Sequence, residues 1–288
     1  MARRKEKTMR KSRKTRQILS VGLFLGLAGT AAAQQSAPPN FSATGQTAWV
    51  GIGIGAFLPV EGSPKPVGQD PAHRYISNDE AGVTGGQPTQ RISDIGNPNI
   101  KQWAKDIMKK DNDEVLAGKF AFTARSSCKA AGVPGFDVLL GGALFILQSP
   151  TEVTMIFSGN NEVRHIKLDV PHSANPKSSW YGESVGHYEG DTLVVDTIGL
   201  NDKTFIDNYR TPHTDKLHVT ERWRMIEDGK KLEILLSLDD PGTFNQPLKE
   251  LRQYDRVNRT LSEDICSENN YNPFGIDYGT PVAAKPDF

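Results

Sequence analysis

From about residue 150 the chain falls into short alternating segments paired around tight turn signals, and this pattern constrains the fold more than any other feature. Val153–Phe157 and Val163–Leu168 flank Ser158-Gly159-Asn160-Asn161-Glu162. Glu183–Glu189 and Thr192–Ile198 flank Gly190-Asp191, and Leu217–Ile226 and Leu232–Leu238 flank Glu227-Asp228-Gly229-Lys230-Lys231. Glu250–Val257 and Leu261–Cys266 form a further candidate pair. Such spacing predicts successive antiparallel hairpins. A stack of hairpins must remove its exposed edges, which favours a closed, antiparallel lipocalin-like barrel; a β-sandwich is the alternative.

One flanking helix precedes the strands. Asn97 suits an N-cap and Pro98 the first turn, and Ile100, Trp103, Ile107 and Met108 share a face. Lys109-Lys110 suit the C-terminal end of the helix dipole. Upstream, residues 61–96 are rich in Gly and Pro and read as an extended surface segment, and 34–47 as a disordered leader. Residues 97–288 then form a single β-rich domain. The glycines of Gly51-Ile52-Gly53-Ile54-Gly55 mimic a nucleotide loop, but Pro59 follows where a phosphate-binding helix should start. A strand or packed loop is the expectation there.

The first 33 residues read as a cleavable signal peptide. Nine basic residues and one acidic residue lead into an apolar stretch, Ile18 to Gly29, followed by Ala31-Ala32-Ala33. Cleavage after Ala33 would make Gln34 the first mature residue, and Met9 is an alternative start. The apolar stretch is shorter than the ~20 residues of a membrane-spanning helix. The expected location is therefore periplasmic or secreted. Without 1–33, 25 basic and 33 acidic residues remain, a formal net charge of −8. That sign disfavours nucleic acid and anionic membrane surfaces as partners. In an oxidising compartment Cys128 and Cys266 are expected to form a disulfide, with two buried thiols as the alternative.

Alternation assigns faces to the strands. Leu217, Val219, Glu221, Trp223 and Met225 share one side, which points Glu221 inward. Arg164 shares a side with Ile166 and Leu168, Asp196 with Val194 and Ile198, and Glu183 with Val185 and His187. A charge inside a barrel must be paired or solvated by a cavity. Arg164, Glu183, His187, Asp196 and Glu221 are thus either a buried ion-pair network or the polar lining of a ligand site. His172 and His213, each after a proline, lie in loops where functional groups collect. Together with His218 and Asp169 they match no zinc spacing, so no metal is expected. Gly182-Glu183-Ser184-Val185-Gly186 has the form of a nucleophile elbow, but that device requires a strand-to-helix turn that a β meander lacks.

The run Trp180 to Gly199 (WYGESVGHYEGDTLVVDTIG) and the run Pro212 to Trp223 (PHTDKLHVTERW) resemble the signature of a group of exported bacterial proteins of uncharacterised function. Asp239-Asp240-Pro241-Gly242-Thr243-Phe244 and Cys266-Ser267-Glu268-Asn269-Asn270 fit the same pattern, which extends from Asp94 to the C-terminus. Tyr188 and Leu200 stand where such proteins often carry Trp and Phe. The resemblance implies export and one β-rich domain, and it brings no reaction with it.

The leading expectation is a periplasmic acid–base enzyme, an isomerase, lyase or hydrolase, working without a cofactor on a small, partly apolar molecule. Glu221 or Asp196 would be the base, His187 or His213 the proton partner, and Arg164 the anion stabiliser. Trp180, Tyr181, Glu183 and Trp223 would line the pocket. A non-catalytic ligand-binding barrel and a structural envelope protein are the alternatives. The oligomeric state is open.

Overall fold

A computed structural model describes residues 37–42, 47–52, 57–119, 121, 129–138, 142–159 and 161–263. The leader 1–33, both cysteines and the expected disulfide lie outside the described residues.

The chain is mainly β. Its strands are β1 (Thr47–Gly51), β2 (Leu58–Pro59), β3 (Ala143–Gln148), β4 (Glu152–Phe157), β5 (Glu162–Leu168), β6 (Glu183–Glu189), β7 (Thr192–Ile198), β8 (His218–Ile226), β9 (Lys231–Asp239) and β10 (Leu248–Asn258). They hydrogen-bond in the order β1-β3-β4-β5-β6-β7-β8-β9-β10, and β1 also pairs with β10, which closes a nine-stranded barrel. The two-residue β2 pairs with β10 beyond the end of β1. The barrel stands, and the sandwich alternative falls.

Two details differ from the sequence expectation. First, β5 and β6 run parallel, whereas every other neighbouring pair is antiparallel. The reason is partly arithmetic: an odd number of strands cannot alternate direction all the way round a closed ring. Residues 169–182 accordingly travel the length of the barrel before entering β6. Gly182 starts that strand at φ 63°, and a Cβ there would sit 2.4 Å from the Ile198 carbonyl oxygen. Second, the last expected hairpin does not form. β10 extends to Asn258 and pairs with β9 and β1 instead, and Leu261 to Glu263 are outside any strand.

Among the described residues three helices are present, not one: α1 (Asn78–Thr84), α2 (Gln102–Leu116) and α3 (Gly135–Val138). The expected helix is α2, but it begins five residues later than Asn97. Asn97 Oδ1 is taken by the Asn99 amide at 2.9 Å, a local turn that competes with capping. Ile100 bridges Phe244. The buried face carries Ala104, Met108, Asp111, Asn112 and Val115, while Trp103 and Ile107 are 38% and 40% exposed. Phe41, within the segment read as a disordered leader, is buried, and its carbonyl accepts a hydrogen bond from Trp49 Nε1 at 3.0 Å.

Alternation fills the interior. Leu232, Ile234, Leu236 and Leu238 of β9, Val219 and Trp223 of β8, and Val153, Met155 and Phe157 of β4 are all buried in one cluster. At one end, called here the upper end, β6, β8 and β10 begin and β7 and β9 finish. The long connections 199–217 and 240–247 close this end. The opposite end carries short hairpins, such as Gly190-Asp191, where Gly190 adopts φ 61°, the start of the 169–182 connection, and residues 39–41, whose Pro39 carbonyl and Phe41 amide bond the Gln148 side chain.

Candidate functional site in the barrel interior

The inward faces of β5, β6, β7 and β8 place Arg164, Ser184, Thr197 and Glu221 together. Arg164 sits on β5 between inward Glu162 and Ile166, and Glu221 on β8 between Val219 and Trp223, all buried. The guanidinium grips the carboxylate with two bonds: Nη1 donates to Glu221 Oε1 at 3.0 Å and Nη2 to Oε2. Nη2 also donates to Thr197 Oγ1 at 3.0 Å and Ser184 Oγ at 3.3 Å, and those hydroxyls bond each other at 2.9 Å. Both side chains of the ion pair are 0% exposed. Burial alone would lower the Arg164 pKa, but Glu221 and Asp137 outweigh it and raise it, so the guanidinium stays charged.

Asp137 enters this group from α3. The helix follows Val133-Pro134, and its Phe136, Asp137 and Val138 are all buried. Phe136 meets the Phe157 and Tyr181 rings edge-on at 5.6 and 6.0 Å between centroids. Tyr254 Oη and Arg252 Nε donate to the Asp137 carbonyl at 2.6 and 3.3 Å, which holds the turn in the barrel mouth. Burial, then the Glu221 charge, push the Asp137 carboxyl well above the ordinary range, against an opposing pull from Arg164. Asp137 is thus held toward its neutral form, and neither of its carboxyl oxygens has a protein donor. The unit sets two carboxyl groups against one guanidinium. Beside it, Glu162 Oε2 accepts from the Ala131 amide at 2.9 Å and from Tyr181 Oη. Burial and that bond raise the Tyr181 pKa.

A further carboxyl lies across the wall. Glu221 and Glu250 both pair with Leu236, so the three residues form one rung across β8, β9 and β10. Glu250 is 0% exposed, and neither of its oxygens has a hydrogen-bond partner. Trp223 Nε1, on the next rung, is also buried without a partner. Burial, reinforced by Asp207, pushes the Glu250 carboxyl well above its usual range. Asp207 belongs to the closing loop 199–217. It accepts from Tyr209 N at 2.8 Å, Thr211 N at 3.2 Å and Thr211 Oγ1 at 2.7 Å. Burial still pushes its carboxyl up to about 6, because these bonds offset only part of the desolvation.

Several residues expected inside stand elsewhere. Glu183, His187 and Asp196 are on the outer wall; the inward members of β6 and β7 are Ser184 and Gly186, and Leu193, Val195 and Thr197. Asp196 Oδ1 meets His172 Nε2 at 2.7 Å and its Oδ2 meets His218 Nε2 at 2.6 Å, while His172 Nδ1 meets Glu183 at 3.1 Å. The imidazole bonds outweigh desolvation and lower the Asp196 pKa. His187 bonds Glu189 at 3.1 Å in the open. His213 is buried in the closing loop between Thr204 Oγ1 at 2.6 Å and the Thr214 carbonyl at 3.0 Å, and burial lowers its pKa. Trp180 is half-buried beside Gly132 on the approach to β6, Tyr181 packs on the core, and Trp223 is buried within it. Among the described residues no three His, Cys, Asp or Glu side chains are placed to hold a metal ion. A separate cleft of about 410 Å³ on the outer wall is lined in part by Arg222, Arg224, Glu233, Leu235 and Leu251.

Sequence reasoning found Arg164 and Glu221 but missed Asp137 and Glu250. Asp137 had a signal: it is the one charge between Ala130 and Leu147, an otherwise apolar stretch rich in glycine. Glu250 had none, because both faces of β10 mix charge with apolar groups. The chain matches no protein-family model and no curated protein sequence.

Proposed function

We propose that the protein binds a small, partly apolar molecule inside the barrel, with the carboxyl groups at the upper end meeting the ligand's polar part. Glu250 carries this reading. A purely structural network would pair its charges, since each buried polar group left unmatched costs about 1–3 kcal/mol. Glu250 has no partner among protein groups. The leader read at 1–33 supports a function outside the cytoplasm, where a binding barrel would meet diffusible small molecules.

Binding stands ahead of catalysis because the imidazoles assigned as proton partners do not reach Glu221. A second reading keeps an acid–base enzyme, with Asp137 and Glu221 as the working pair. The observation in its favour is their contact beside Arg164, which sets a neutral acid against a carboxylate. Under this reading Asp137 would donate a proton and Glu221 accept one, and Asp137→Asn would abolish turnover while leaving ligand affinity in place.

The binding reading is tested by titrating the chain with N-phenyl-1-naphthylamine, a neutral apolar fluorophore. The expected result is saturable fluorescence enhancement that survives Leu235→Ser, which alters only the outer cleft. Absence of saturable binding, or its loss in Leu235→Ser, would overturn interior binding.

A further inference from the structure

We infer that the ligand group seated at Glu250 is a primary ammonium, so that the barrel selects small organic cations. This rests on interior binding as proposed above and names its ligand class. Five buried carboxyls, Asp137, Glu162, Asp207, Glu221 and Glu250, line the interior and the closing loop 199–217. Of the buried arginines, Arg210 turns to Asp111 of α2, which leaves Arg164 and Arg252 to face the five.

Three of the five have protein donors: Glu221 takes Arg164, Glu162 takes Ala131 and Tyr181, and Asp207 takes Tyr209 and Thr211. Both carboxyl oxygens of Asp137, like both of Glu250, are without a hydrogen-bond partner, but Asp137 lies in the fields of Arg164 and Arg252. Arg252 directs its Nε and Nη1 to the carbonyls of Asp137 and Ile52, at 3.3 and 2.6 Å, and lies over the Tyr254 ring. Of the five, Glu250 is the one that neither a donor nor an arginine answers, with both oxygens buried and Asp207 as the charge facing it.

An anion placed there would meet two carboxyls, and a neutral acceptor would engage only the Glu250 proton and leave the site without a compensating charge. A primary ammonium brings three N–H donors and that charge. Of the inward neighbours of Glu250, Arg252 on its own strand is turned to the Asp137 and Ile52 carbonyls, while Leu248 and, across the rung, Leu236 are apolar. The two leucines suit a short hydrocarbon body behind the charged head.

Binding has a proton consequence. In the free protein, Glu250 is held protonated by burial and by Asp207. On binding, the protonated carboxyl and R–NH3+ become a carboxylate–ammonium pair, and one proton passes to the buffer. The other titratable groups near this position are Asp207, with Tyr209 beside it, and Glu221 across the rung.

The test is calorimetric titration of the chain with benzylammonium chloride near neutral pH, in phosphate and in HEPES, whose ionisation enthalpies differ and neither of which is a primary ammonium. Saturable binding with about one proton released is expected. Benzyl alcohol should bind at least about tenfold more weakly, and Glu250→Gln should lose at least about tenfold in benzylammonium affinity, the range of a charge-assisted bond. Glu250→Leu, checked by circular dichroism, repeats the loss where the amide variant folds poorly. Glu233→Gln, on the outer wall, should bind as the wild type does. Equal affinity of wild type and both Glu250 variants, or of the amine and the alcohol, would overturn the ammonium assignment. Saturable N-phenyl-1-naphthylamine binding in that event would leave interior binding standing; its absence would remove both.

Discussion

Replacing Arg164 by Met tests whether the interior ion pair holds the barrel together. The substitution keeps an unbranched apolar stem and removes the guanidinium. Ser184 and Thr197 do not become orphans, because their hydroxyls already bond each other at 2.9 Å. The cost therefore falls on Glu221, 0% exposed and left with Asp137 as its polar neighbour. Breaking a buried pair from one side costs about 3–5 kcal/mol. The expected outcome is a loss of about 3–5 kcal/mol near pH 7. Urea unfolding followed by tryptophan fluorescence reads this directly, since Trp49 and Trp223 are fully buried.

The double variant Arg164→Met, Glu221→Leu removes both charges and should recover to within about 2 kcal/mol of wild type, because an apolar replacement for a buried pair is often neutral. A single variant that loses less than about 1 kcal/mol near pH 7, or a double variant no more stable than the single, would refute the claim that Glu221 is desolvated and dependent on Arg164.

Three further outcomes follow from the same geometry. Glu250→Leu should stabilise the ligand-free protein by about 1–3 kcal/mol near pH 8 and by little near pH 4.5, because the raised carboxyl makes wild-type stability fall as pH rises; urea curves at the two pH values check it. Asp207, with its carboxyl at about 6, contributes stability that is present below the unfolded value near 3.9 and is lost as pH rises to about 6, on the order of 3 kcal/mol in all. Asp207→Asn should flatten that segment of the stability profile, and an unchanged slope between these pH values would contradict the assignment. His172→Ala frees residues 169–182 from Glu183 and Asp196 on the half-exposed outer wall, at a cost of about 1 kcal/mol or less. Amide exchange should quicken in 169–182 and stay unchanged in β9; equal protection in both forms would mean the histidine does not tether the segment.

Legibility of the sequence followed how cleanly each strand separates its faces. β8 and β9 alternate strictly, so the pattern of apolar residues alone puts Glu221 inside, and Arg164 follows from Ile166 and Leu168. β6 and β7 do not read this way. Their outer wall is partly covered by residues 169–182, through His172, Ser173 and the Ser179–Leu200 bridge. Val194 is thus 8% exposed although it faces outward, and the apolar marker no longer distinguishes core from exterior. Asp196 beside Val194 then passes for an interior residue. The pattern predicts a closed barrel, but which strands close it was hidden for a different reason. β1 meets β10 across about two hundred residues, and no local turn chemistry announces such a contact. Glu250 depends on that closure, since without it β10 reads as an edge strand whose charges face water. Asp137 is the converse case: α3 has only four residues, too short for a periodic signal, and becomes meaningful once the barrel exists to receive it. Asp137 and Glu250, two of the acids that sequence patterning missed, are acids that the fold buries against burial's own preference. Local rules fail where a structure keeps polar groups inside, and a site is what such groups are kept for when no protein partner answers them. At Glu221 the partner is Arg164. At Glu250 none is present among the described protein groups, and the interior ligand proposed above would be what answers it.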